Sequence, residues 1–393
     1  MHRFQQVISW VKLKLKAIIY WTLGIIAATV ATIVVERALD NGESRFVTAS
    51  YIAVVMSTRD PTFTIPEEFL AGFGSPTYVD TRNGTKIDFR YMDDGYSTIQ
   101  AEQIAKKLVA DPKCILIIGN ANSQLTEITL HAVVASGDPP SMLLPIATAS
   151  SLTSIAKSAD YRSMLRMVPD NEDQAGQISS FIATHSNNPN VAILVDEDNR
   201  TYSDDLSNRL AAKLRKAGSN IVYKKLYGNG NRLINDLSNL RTESSSPDFI
   251  IFVGISNNGL LLIDELKALS LRVPVIFTDG CTVEELMRKT SELTAPAYFL
   301  SAVTINNQTL TPTYRPIGAD TFRLARQIVG GITTDSREEL RAYIEGNKGT
   351  FQLENGAAGR YRFDQDGNNS IMSFKLYRMV GDKVIQVHRH STS

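Results

Sequence analysis

From Tyr51 onward the chain alternates short β-branched runs with helix-length amphipathic stretches, and few architectures accept that alternation. Strand-like runs fall at 51–56, 86–92, 114–118, 142–145, 191–195, 221–226, 249–253, 275–277 and 298–302. Helical patterns lie among them at 99–110, 124–135, 174–184, 202–217, 232–242 and 259–270. Strands separated by helices of about 10–15 residues imply βαβ units and parallel sheets. The series is long for one sheet, and it breaks at Arg166-Met-Val-Pro169-Asp170-Asn171. There Pro169 disfavours helix in the residue before it, and a new helix opens after Asn171. The pattern predicts an α/β protein with two doubly wound, Rossmann-like lobes, and 393 residues are enough to give each its own core. The tail differs: helices at 321–329 and near 338–344 lead into 360–387, which reads as β-hairpins punctuated by Asp366-Gly367 and Gly381-Asp382.

Ahead of the lobes, residues 17–35 read AIIYWTLGIIAATVATIVV without a charge. At ~1.5 Å per residue such a helix approaches the ~30 Å hydrocarbon core of a bilayer. Arg3, Lys12, Lys14 and Lys16 precede it, whereas Glu36, Arg37, Asp40 and Glu43 follow. The excess of positive charge predicts residues 1–16 in the cytoplasm, one transmembrane anchor, a linker at 36–46, and the lobes outside, periplasmic or extracellular. A cleavable signal peptide ending near Thr29-Val-Ala31 is the other reading, although the apolar stretch exceeds the ~7–15 residues usual for one.

Charge excludes some partners. The 41 basic and 41 acidic side chains cancel, and no basic stripe with interleaved aromatics offers a footprint for nucleic acid. The five histidines are scattered, with no cysteine or carboxylate at metal-ligand spacing, so neither metal nor cofactor is expected. No nucleophile elbow appears, and Asp93-Asp94 lacks a second catalytic group, so an enzyme is not expected. Cys114 and Cys281 are read as free thiols in different lobes, because a bridge there would block hinge motion.

Two loops carry the binding chemistry. Gly119-Asn-Ala-Asn-Ser123 ends one apolar run, and Pro145-Ile-Ala-Thr148 followed by Leu152-Thr153 ends another. Both lead into helices, whose starts present unpaired N–H groups and partial positive charge suited to a carboxylate. Helix capping by Ser123 and Thr148 is the plainer alternative.

These blocks, with Asp93-Asp94-Gly95, Ala105-Lys-Lys-Leu108, Tyr202-Ser-Asp-Asp-Leu206, Lys213-Leu-Arg-Lys-Ala-Gly218, Phe252-Val-Gly-Ile-Ser256, Phe277-Thr-Asp279-Gly280 and Gly359-Arg-Tyr-Arg-Phe-Asp-Gln-Asp-Gly367, resemble type I periplasmic binding proteins. The branch is that of the branched-chain amino-acid receptors of ABC transporters, and the resemblance covers nearly everything from Tyr51 to Val387. It implies a hinge of three crossings near Val168, Ala302 and Ile371, with one lobe at 47–168 plus 302–370 and the other at 169–301 plus 371–393. It also implies a ligand trapped between them. The family pattern assigns the ligand carboxylate to Ser123 and Thr148, the ammonium to the Ile146 carbonyl and to Asp279, and a cleft wall to Tyr202. Ala147 belongs to the same binding loop. Ser256 stands where amino-acid receptors often carry a tyrosine, which removes an apolar wall. Asp279 is expected to pair with ligand rather than protein, although Thr-Asp-Gly is also a common turn composition.

The first lobe departs from the pattern at Ser57-Thr-Arg-Asp-Pro61, near Glu67 to Gly72 and at Asn83-Gly84, so its share of the pocket is trimmed or rebuilt. Asp364-Gln-Asp366-Gly367-Asn368 reads as a hairpin turn rather than a calcium loop. The expected function is capture of a small polar ligand, an amino acid or related zwitterion, for an ABC permease. The alternative is an anchored sensor or interaction module that signals to a partner.

Overall fold

The computed structural model describes residues 49–58, 64–227, 246–305, 314–381 and 383–387. The expected anchor at 17–35 with its flanks, the helix expected at 232–242, and His388 and His390 lie outside these residues. Among the described residues no helix is long and apolar enough to cross a membrane.

The first sheet has six strands in the order β2-β3-β1-β4-β5-β6. They are β1 (Tyr51–Val55), β2 (Tyr78–Asp80), β3 (Lys86–Met92), β4 (Cys114–Gly119), β5 (Ser141–Leu144) and β6 (Met164–Arg166). All pairings are parallel except β2 with β3 at the edge. Helices α1 (Ile65–Phe73), α2 (Thr98–Ala110), α3 (Ser123–Val134) and α4 (Ser151–Ser158) accompany it.

Beyond β6 the chain enters the second sheet through α5 (Asn171–His185), β7 (Asn190–Asp196), α6 (Arg200–Lys216), β8 (Asn220–Tyr227), β9 (Phe249–Val253), α7 (Ser256–Ala268), β10 (Val275–Phe277), α8 (Glu284–Lys289) and β11 (Ala297–Ser301). It then returns to supply α9 (Arg315–Val329) and α10 (Arg337–Asn347), which pack on elements of the first lobe. After the small ribbon β12 (Gln352–Leu353) and β13 (Tyr361–Arg362), it crosses once more to add the hairpin β14 (Lys375–Val380) and β15 (Lys383–Gln386). The second sheet is therefore mixed, β15-β14-β11-β10-β9-β7-β8, with β14 antiparallel to β11.

Strand periodicity explains why both faces of each sheet are covered. In β1, Ile52 and Val54 face a cluster holding Phe69 and Phe73 of α1, while Tyr51, Ala53 and Val55 face Leu108 of α2 and Leu130 of α3. In β9, Ile250 and Phe252 meet Leu262 and Ile263, while Phe249, Ile251 and Val253 meet Leu206 and Leu210. A strand buried on both faces needs a continuous apolar run, which is what these segments carry.

One helix contact bears on the cleft. Helix α1 lies so close to α9 that a Cβ added at Gly318 would sit 2.1 Å from the Phe69 carbonyl oxygen, and one at Gly72 would sit 1.8 Å from that of Arg315. Only glycine permits that approach. The tail turn at Asp364 to Asn368 is held by Asp364 Oδ1, which accepts from the Asp366 and Asn368 N–H groups, each at 2.9 Å. Its geometry is that of a turn, and no cluster able to hold a metal occurs among the described residues.

Candidate functional site

The loop after β4 is shaped before it binds anything. Gly119 has φ +142°, and a Cβ there would lie 2.2 Å from the Val55 carbonyl oxygen. Asn120, fully buried, donates to Asp94 Oδ2 at 2.9 Å and accepts from Thr129 Oγ1 at 2.8 Å. Asp94 also receives the Ser57 hydroxyl, so the acidic doublet braces strand ends. The cap of α3 is Asn122, whose Oδ1 accepts the Leu125 N–H at 2.8 Å. Ser123 is thereby the first helical residue and not the cap, and its Oγ accepts the Ala149 N–H at 3.2 Å, tying the two predicted loops together.

The second loop rests on a buried cation. Arg166 is fully buried; Nη1 donates to the Ala149 carbonyl and Nη2 to Thr153 Oγ1, both at 2.9 Å. Burial pulls its pKa down to about 10, against the opposing pull of Asp170, Asp205 and Asp364. The N-cap position of α4 belongs to Ser150, so Thr148 is free of the capping role as well.

In the second lobe, Asp279 opens a short 3-10 turn after β10. Its Oδ1 accepts the Tyr202 phenol at 2.6 Å and Gln174 Nε2 at 2.8 Å. Burial pushes its pKa up, and the Tyr202 and Gln174 hydrogen bonds hold it back. The phenol of Tyr202 is pushed well above its usual range, by burial first and by the Asp279 charge second. The expectation that Asp279 pairs with ligand instead of protein is therefore corrected: its carboxylate already has two protein partners.

These groups meet. One pocket is lined by Ser123, Ile146, Ala147, Thr148, Tyr202 and Asp279, six of the seven residues singled out above. Ser256 is not in that lining; its neighbour Ile255 is, because Asp196 Oδ2 accepts the Ile255 N–H at 3.1 Å while Asp196 Oδ1 takes Asn258 Nδ2 at 2.8 Å, fixing the start of α7. Burial raises Asp196 to about 6. The cavity also takes in Asn122, inside the first predicted loop, and Ile65, Asn199 and Tyr314, which sequence reasoning missed. Ile65 starts the helix of the rebuilt region, and Tyr314 stands just before Arg315-Pro316, a proline-marked helix start that could have signalled it. Among the described residues the lining holds one carboxylate and no cationic side chain. A ligand would meet hydroxyls, amides and loop N–H groups at one end and a buried acid at the other. Cys114 and Cys281 are both free and buried.

Two doubly wound lobes, linked by three passages of chain around a polar cleft, define a class of two-lobed binding proteins. The family model for periplasmic binding proteins matches residues 78–320. The chain belongs to the periplasmic binding protein family. An amino acid binding protein of Pseudomonas aeruginosa is 25% identical over 206 residues, 52% of this chain and 52% of that protein, so the match spans about half the length of the curated relative. Among solved structures, an ABC transporter substrate-binding protein from Desulfitobacterium hafniense in complex with Leu superposes with TM-score 0.66 at 18% identity, covering 86% of this chain and 100% of that one. A solute-binding protein of an ABC transporter from R. palustris in complex with benzoate gives TM-score 0.67 at 15% identity, covering 86% and 96%. At such identities these structures share the fold.

Proposed function

We propose that this chain captures a small zwitterion, an amino acid or a close relative, outside the cytoplasm and presents it to an ABC permease, acting as a binding protein and not as an enzyme. The observation that carries this is the convergence of Ser123, Ile146, Thr148, Tyr202 and Asp279 on one cavity. The ligand carboxylate would lie against the Ser123 and Thr148 loops, and its ammonium would share Asp279 with Tyr202 and Gln174. Charge-assisted hydrogen bonds contribute about 1.5–3 kcal/mol each. Among the described residues of the lining Asp279 is the sole charge, and a carboxylate there disfavours a ligand that is only an anion. In this reading the lobes are 47–168 plus 302–370 and 169–301 plus 371–393, and residues 17–35 tether them to the membrane.

That apolar segment also supports a second reading, an anchored sensor using the same cleft to signal to a partner. A thermal-shift screen of the full chain against amino acids and aromatic acids tests the ligand class. Stabilisation by at least one amino acid and by none of the aromatic acids is expected; stabilisation by benzoate alone would contradict the zwitterion reading.

A further inference from the structure

The start of α3, which lines the cleft, and the start of α4, which follows the Thr148 loop, are also gripped by the opposite lobe. At α3, the Gln124 N–H donates to Asn199 Oδ1 and the Arg200 N–H returns a bond to Gln124 Oε1, both 3.2 Å, while the Thr201 hydroxyl reaches Glu127. At α4, the Ser150 N–H donates to Asp205 Oδ2 at 2.9 Å. Asn199 to Asp205 form the start of α6 in the second lobe, whereas Gln124 and Ser150 belong to the first. Gln124 adjoins Ser123, and Ser150 lies two residues beyond Thr148, so these bonds flank the ligand loops.

Asp205 is held ready for this contact. Its Oδ2 also accepts Asn171 Nδ2 at 2.9 Å, and its Oδ1 accepts Arg209 Nε at 3.0 Å, leaving the side chain only 11% exposed. Asn171 is itself pinned to the first lobe, its N–H donating to the Thr148 carbonyl at 2.8 Å. A carboxylate at a helix start is favoured by the unpaired N–H groups and the partial positive charge there. The second lobe thus places its own anion at the start of α4, beside the loop assigned to the ligand's carboxylate, and every donor and acceptor of the contact belongs to the chain.

We propose that Asp205, with the reciprocal Gln124 to Asn199 and Arg200 pair, is a latch that holds the lobes together and thereby sets how fast a ligand enters and leaves the cleft. Asp205 acts through lobe position and does not touch the ligand. The kinetic part of this inference rests on the cleft being the ligand site; the closing part does not. A latch makes a distinctive kinetic signature, because it slows entry into a shut cleft and slows escape from it alike. Its loss therefore accelerates both steps while the ratio of the two changes little, unlike the loss of a ligand contact, which raises dissociation alone.

The test uses the full chain and the variants Asp205→Ala, Asp205→Asn and Gln124→Ala. Small-angle scattering without added ligand should show a larger radius of gyration for Asp205→Ala and Gln124→Ala, and unchanged scattering in variants that melt normally would overturn the latch. Stopped-flow binding of the amino acid giving the largest thermal shift should show both rate constants raised about fivefold, the factor that corresponds to one net hydrogen bond. A rise in dissociation alone would overturn it, reassigning Asp205 to ligand contact. Should Asp205→Ala fail to fold, Asp205→Asn, which keeps the shape and loses the charge, and Gln124→Ala carry the same comparison. If no amino acid binds the wild-type chain, the zwitterion reading fails while the scattering still decides the latch.

Discussion

Asp279 is the residue on which most depends. It lines the cavity, and its Oδ1 is shared by Tyr202 and Gln174. Asp279→Ala should abolish ligand-induced stabilisation and also lower unliganded stability by about 1–3 kcal/mol, because two buried donors lose their acceptor; thermal melts with and without ligand measure both. Its raised pKa gives two opposite pH trends. Folding favours the protonated form, so this group's contribution to unliganded stability is present below the ordinary carboxylate value of about 3.9 and is lost as pH rises through the raised value. Ligand binding needs the ionised form, so affinity should weaken as pH falls through that same value, and calorimetric titration across the acid range should show it. The acid at this position was singled out by the family resemblance, and its place on a loop after a strand fitted that role. Its partners were not: Gln174 and Tyr202 lie 105 and 77 residues away, on helices that only the folded second lobe brings together.

Elements behaved according to how much apolar surface they bury. Long β-branched runs such as β4 and β9 are buried on both faces, and their strand character was plain from sequence. The strands not foreseen, β2, β6 and β12, have two or three residues each, too few for a period to register, and they lack the wholly apolar β-branched run that marked the equally short β10. At Ser123 and Thr148 the capping alternative falls away because the N-cap positions belong to Asn122, next to Ser123, and to Ser150, two residues beyond Thr148. Two element-scale outcomes follow from close contacts. Gly318→Ala must push α1 away from α9, and since these helices carry Ile65 and the flanking Tyr314 into the cleft, it should cost roughly 1–3 kcal/mol of stability and weaken ligand binding. Denaturant unfolding and titration check the two effects separately. Arg166→Met removes the support of the Ala149 carbonyl and Thr153, so affinity should fall about tenfold, roughly 1.4 kcal/mol, through a loosened loop. Unchanged affinity would show that the loop holds its shape without the buried cation.

At the scale of the molecule, the βαβ series and its break at Pro169 made the two lobes visible before any contact was known, because parallel pairing forces a helix between strands. How the lobes meet was hidden, since the bonds between the starts of α3 and α4 and that of α6 join residues 55 to 76 apart in sequence. The central claim concerns the whole cleft: a hydroxyl and amide end in one lobe faces an acid in the other, and a ligand must answer both. Calorimetric titration of the full chain at pH 7 with a stabilising amino acid, its decarboxylated amine and its deaminated acid tests this most directly. One-to-one binding of the amino acid is predicted, with binding by the amine and by the acid each weakened at least about tenfold, roughly the loss of one charge-assisted hydrogen bond. Equal binding of either truncated compound, or heat from none of the three, would contradict it.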